Sequence, residues 1–127
     1  MDILISNSGS TPIYEQIYSQ IKAMILSDKL KEGEMLPSMR VLAKELRISV
    51  ITTKRAYEEL ERDGFIVSIT GKGSFVNGKN LDIMREEYLK NIEKLFGEAI
   101  KNAALCGLNI ENLKEMLETI YEEENNG

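Results

Sequence analysis

Apolar residues near the start of the chain recur at steps of three and four. Ile13, Ile17, Ile21, Met24 and Ile25 share one side of a 3.6-residue period and predict a helix from about Pro12 to Leu30. Thr11 stands where an N-cap belongs. Pro12 then takes the first helical position, where its missing N–H costs nothing. Residues 1–10 turn polar after Ile5 and read as an extended arm. Lys31-Glu32-Gly33-Glu34 breaks the period and reads as a loop.

Two shorter helices follow. Ser38 caps the second, whose inward positions are Leu42, Ala43 and Leu46. Ile48-Ser49 makes a tight turn, and Ser49 caps the third. There Thr53, Ala56, Tyr57 and Leu60 form the inner stripe. At 100° per residue, Ile51, Arg55, Glu58 and Arg62 then face outward, with Thr52 and Lys54 on the flanks. Asp63-Gly64 ends the helix, because glycine takes the left-handed conformation at a helix C-terminus. Phe65–Ile69 and Ser74–Val76 are β-rich and straddle Thr70-Gly71-Lys72-Gly73, which predicts a hairpin.

Asn77-Gly78-Lys79-Asn80 reads as a linker to two more helices, roughly 81–105 and 110–123, the second capped by Asn109. Met84, Tyr88, Ile92, Leu95, Phe96, Ala99, Ile100 and Ala103 give the first a broad apolar face; Leu113, Met116, Leu117 and Ile120 give the second its own. The fold class is α+β, mostly α. A winged helix-turn-helix domain over 1–78 precedes a two-helix dimerisation hairpin over 79–127, which is also where an effector would act. That face is broader than one short partner helix covers. The expected dimer contacts are Met84, Tyr88, Ile92, Leu95, Phe96, Ala99, Leu113 and Leu117, with Cys106 packed as a small hydrophobe near Gly107.

Composition narrows the chemistry. The 127 residues include no His and one Cys, Cys106. The commonest general base and metal ligand are therefore missing, and an intrachain disulfide is impossible. No nucleophile is paired with a base, so an enzyme is not expected, nor is a metal or other cofactor. No apolar run nears twenty residues, and the start lacks the basic and apolar blocks of a signal peptide, which predicts a cytoplasmic protein with no membrane span.

The net charge of −5 argues at first against a nucleic-acid partner, but it is unevenly placed. Residues 1–79 carry a net +1 and residues 80–127 a net −6; within 38–79 the balance is +3. Phosphate binding needs local positive charge rather than a basic chain. Two short helices, a tight turn and a hairpin with a Gly-Lys-Gly tip make a helix-turn-helix with a wing, an arrangement suited to duplex DNA.

The candidate DNA-binding residues are Ser38, Arg40, Ser49, Thr52, Lys54, Arg55, Gly71, Lys72 and Gly73. Ser38 and Arg40 stand at the second helix's N-terminus, where free N–H groups and the helix dipole favour phosphate. Ser49 and Thr52 offer hydroxyls at the tip of the third helix, the candidate recognition helix, and Lys54 and Arg55 bring charge. Gly71 and Gly73 let the wing turn tightly around Lys72, which can enter the minor groove or touch phosphate. Plainer readings stand beside these: Arg40 pairing with Glu34 or Glu45, Ser49 acting only as a cap, and Lys54 and Arg55 pairing with Glu58 and Glu59. Ile51 faces outward without a core partner, where a thymine methyl is one contact open to it.

Four blocks occur in order: Pro12-Ile13-Tyr14-Glu15-Gln16-Ile17, Leu36-Pro37-Ser38-Met39-Arg40, Lys54-Arg55-Ala56-Tyr57-Glu58-Glu59-Leu60-Glu61 and Gly71-Lys72-Gly73-Ser74-Phe75-Val76. Together they resemble the GntR family of bacterial transcription regulators over about residues 10–78. The short helical tail resembles its YtrA subfamily. The resemblance implies a winged-helix homodimer on a pseudo-palindromic operator, with contacts from Arg40, Ser49, Thr52, Lys54, Gly71 and Lys72. Many relatives place an arginine just after the Ser49 position, where this chain has Val50.

The sequence thus predicts a sequence-specific regulator that acts as a repressor, since a dimer seated on promoter DNA blocks polymerase unaided. By resemblance, a transporter operon is its target. A winged helix that binds a protein partner instead is the alternative, kept open by Glu58, Glu59 and Glu61 near the recognition helix.

Overall fold

The structure is a computed structural model and describes residues 1–126. The elements run α1 (Ile13–Leu26), α2 (Met39–Leu46), α3 (Val50–Arg62), β1 (Ile66–Ile69), β2 (Gly73–Val76), α4 (Leu81–Leu105) and α5 (Ile110–Asn126). They fall into two compact units that divide between Arg85 and Glu86, inside α4.

The core of the first unit is aliphatic. Ile17, Ile21 and Ile25 of α1 are fully buried and meet Ala56, Tyr57 and Leu60 of α3, Leu42 of α2, and Ile66 and Val76 of the hairpin. The expected inner stripe of α3 is its buried set, Thr53, Ala56, Tyr57 and Leu60. The Thr53 hydroxyl faces inward without penalty because it donates to the Ser49 carbonyl one turn back, at 3.3 Å. α2 ends on Arg47 in the left-handed conformation (φ 58°), which swings the chain sharply into α3.

Both ends of α1 differ from the sequence reading. Pro12, not Thr11, is the cap residue; its backbone is extended (ψ 148°) and no side chain caps the helix. The helix stops at Leu26 because Asp28 takes a φ of 67° and the N–H groups of Lys29 and Leu30 both turn back to the Met24 carbonyl. Leu30 still reaches the core, carried there by that turn.

β1 and β2 pair antiparallel, with Ile66 opposite Val76 and Ile69 opposite Gly73. The segment read as a loop before α2 supplies a further edge. Gly33 N–H donates to the Val76 carbonyl, Val76 N–H to Glu34, and Leu36 N–H to Ser74, with Met35 bridging Phe75. Residues 33–36 thereby brace the wing from the far side of β2.

The arm is fastened as well. Gln20 accepts from Leu4 N–H and donates to the Leu4 carbonyl; Gln16 does the same for Ser6. Two side-chain amides replace the ladder of a neighbouring strand and seat Ile3 in the core. At the opposite end, Arg85 donates to the carbonyls of Leu26 (2.9 Å) and Ile25 (3.2 Å). It caps the C-terminus of α1, where a cation is favoured by the helix dipole and unpaired carbonyls need donors.

In the second unit, Asn109 and Asn112 cap α5 reciprocally, each side chain accepting the other's backbone N–H at 2.9 Å. Cys106 is exposed rather than packed, because the turn at Cys106-Gly107 carries it outside the helix faces. No described helix is long and apolar enough to cross a membrane.

Candidate nucleic-acid interface

The start of α3 is organised by its cap. Ser49 Oγ accepts the Thr52 N–H at 3.1 Å and lies 2.8 Å from Thr52 Oγ1. Both hydroxyls are thus held at the helix tip and exposed or half-exposed. Ser38 caps α2 in the same way by accepting the Val41 N–H. Tyr57 fixes the two starts relative to each other: its hydroxyl donates to the Pro37 carbonyl at 2.7 Å. Burial, with the Glu45 charge adding to it, pushes that phenol well above its ordinary range, so it stays a donor.

The expected cationic residues lie on this surface in different states. Arg40 and Lys72 are exposed and make no ion pair among the described residues, so the Glu34 and Glu45 pairings considered for Arg40 are not formed. Lys54 reaches Glu58 at 3.8 Å with both side chains mostly exposed. Such pairs are worth about 0.3–0.5 kcal/mol, too little to hold Lys54 from a phosphate.

Arg55 does not pair with Glu59. Its guanidinium carbon lies 3.7 Å from the centre of the Tyr14 ring, and its Nη2 donates to the Tyr14 hydroxyl at 3.1 Å. The Tyr14 phenol is raised from its ordinary value, chiefly by burial and against the pull of Arg55. Tyr14 was not among the residues the sequence singled out. It entered the sequence reading only within the Pro12–Ile17 block, as an aromatic ring beside, rather than on, the apolar stripe of α1.

The wing tip is built as expected. Gly71 and Gly73 have φ of 78° and 116°, and Lys72 stands exposed between them. Ser68 Oγ and Ser74 Oγ meet across the strands, and Glu61 accepts the Ser68 N–H at 3.0 Å, tying the wing to α3. Glu61 therefore has a structural partner, a role the sequence did not reveal.

In the second unit, Tyr88, Ile92, Leu95, Phe96, Ala99 and Leu117 are exposed and Leu113 is half-buried. Phe96, Ala99, Ile100, Leu113 and Leu117 line an apolar groove between α4 and α5. Met84, expected on this face, packs instead against the core of the first unit.

Comparison with known proteins matches residues 13–76 to the family described as bacterial regulatory proteins, gntR family. The HTH-type transcriptional repressor YtrA of Bacillus subtilis (strain 168) is 35% identical over 118 residues, covering 93% of this chain and 91% of that protein. YtrA from Sulfolobus acidocaldarius, a GntR-family transcription factor, superposes with a TM-score of 0.57 at 34% identity, over 72% of this chain and 97% of that one. The DNA-binding domain of AraR, solved in complex with operator ORX1, gives 0.53 at 25% identity, over 60% and 95%.

Proposed function

The chain belongs to the gntR family of bacterial regulatory proteins, a DNA-binding transcription regulator and not an enzyme, and on that premise we propose that it is a repressor binding a pseudo-palindromic operator as a homodimer. One observation carries the reading. The capped tip of α3 presents Ser49, Thr52, Lys54 and Arg55 together, and α2 and the wing offer Arg40 and Lys72, which make no ion pair among the described residues. A helix tip with free cations beside it fits the major groove, and a lysine between glycines fits the neighbouring backbone or minor groove.

The winged domain over 1–78 reads DNA, and the region from 79 onward joins two copies. Tyr88, Ile92, Leu95, Phe96, Ala99, Leu113 and Leu117 form the joint, since a continuous apolar face of this extent is unfavourable in water. Two copies present two recognition helices, matching a symmetric site. Repression agrees with the name of the B. subtilis relative, and a transporter operon in the cytoplasm of a bacterium is the proposed target.

Selection of duplexes from a random pool at low and moderate salt tests this. The expected result is an enriched inverted repeat whose affinity falls steeply with salt. Enrichment of a single, unrepeated half-site would refute the dimer, and no enrichment would refute DNA recognition.

A further inference from the structure

Ile51 lies in the first turn of α3 and is 80% exposed. The polar residues nearest to it along the start of α3 each contact another side chain. Ser49 and Thr52 hold each other at the cap. Lys54 and Arg55, three and four residues on and hence on the same face, reach Glu58 and Tyr14. The Ile51 side chain has no hydrogen-bonding atom, and it lies away from the core stripe of Thr53, Ala56, Tyr57 and Leu60.

An apolar side chain at the tip of a helix that enters the major groove has one good partner there. Of the four bases, only thymine shows a methyl group on that edge. Cytosine at the same place turns its N4 amine toward the side chain and loses a hydrogen bond to water. We infer that Ile51 is a specificity-determining residue that selects thymine at one position of each half-site through its C5 methyl group. Val50, 40% exposed beside it, cannot supply the bidentate hydrogen bonds of an arginine, so hydrophobic selection replaces guanine reading at this end of α3.

The inference rests on the proposed DNA reading, and the test separates the two. The probe is the duplex enriched from a random pool by the unaltered chain. Each of its thymines is replaced in turn by deoxyuridine, which deletes only the methyl group. One thymine per half-site is expected to cost about fourfold in affinity when replaced. The Ile51→Ala variant should bind the thymine and uracil duplexes equally, while Ile51→Val retains part of the difference. Because Ile51 is exposed, the melting temperature of Ile51→Ala should stay within about 2 °C of the parent. Uracil tolerated at every position, or a uracil penalty that persists in Ile51→Ala, would overturn this inference alone. A pool that yields no enriched duplex would overturn the DNA reading and this inference with it.

Discussion

Arg55 of α3 sits over the ring of Tyr14 of α1, with 3.7 Å between the guanidinium carbon and the ring centre and a 3.1 Å hydrogen bond to the phenol oxygen. That contact sets the direction of a cation beside the proposed recognition helix before any DNA arrives. An arginine ordered in advance loses less rotamer freedom on binding. Tyr14→Leu should therefore weaken duplex binding by about three- to tenfold, and Tyr14→Phe, which keeps the ring, should weaken it far less. In an Arg55→Ala background the Tyr14→Leu change should have no further effect. Anisotropy titrations of the four proteins measure that cycle; additive losses would show that Tyr14 acts through something other than Arg55.

Arg85 places two donors on the last carbonyls of α1 and a third on Asp82. Arg85→Ala is expected to destabilise the first unit by about 1–2 kcal/mol, from an uncapped helix end and two lost charged hydrogen bonds. Arg85→Lys should recover little, since a single ammonium cannot span two carbonyls and a carboxylate. Urea midpoints at constant slope give the comparison.

Leu81, Met84 and Arg85 belong to the first unit although they are the opening turns of α4. A chain ended after Glu87 should melt cooperatively, sediment as a monomer and bind an inverted-repeat duplex about 100-fold more weakly for want of the second copy. A chain ended after Lys79 should also lose stability, because the core gives up Leu81 and α1 its cap. Equal melting temperatures for the two truncations would contradict the packing of Leu81.

Tyr57 gives the fold an alkaline limit. Its folded phenol holds its proton above the ordinary value of 10.0, because burial disfavours the charged form. Below pH 10 both folded and unfolded chains keep that proton and the stability is fully present. Above it the unfolded chain releases the proton first, so stability declines as pH rises. Denaturation between pH 9 and 11 should show this decline, and Tyr57→Phe should flatten it. At neutral pH the same variant should lose about 1 kcal/mol, the worth of its bond to Pro37.

Periodicity carried much of this fold into view. The buried stripe of α3 follows from spacing alone, and Ser38, Ser49 and Asn109 announce their helices because cap chemistry is local. What the pattern does not encode is contact between distant segments. Tyr14 and Arg55 are 41 positions apart, and neither interrupts its own helix's period. Gly33 to Leu36 look like a loop because their hydrogen bonds run to β2, forty residues downstream. Leu30 stands five residues past Ile25 and off the apolar stripe of α1, and it enters the core only through a turn, since Asp28 adopts a backbone conformation that ends the helix. The proposed DNA contacts stood out because hydroxyls and cations gather at the start of α3 and at the wing tip, although Ser38 and Ser49 also cap their helices. Their supports, Tyr14, Tyr57 and Glu61, were not, because their roles are defined by what they touch.

Gln16 and Gln20 grip a stretch of backbone that precedes the segment shared with the family, which begins at Ile13. Leu81 and Arg85 do equivalent work past its end at Val76. Ancestry and mechanics thus draw different outlines on this chain. The inherited signature is the smaller one, and the body that must stay rigid while its tip probes a groove extends past it in both directions. A DNA-reading fragment excised along the family outline would keep every residue proposed to face the duplex and forfeit the fastenings that hold those residues in register.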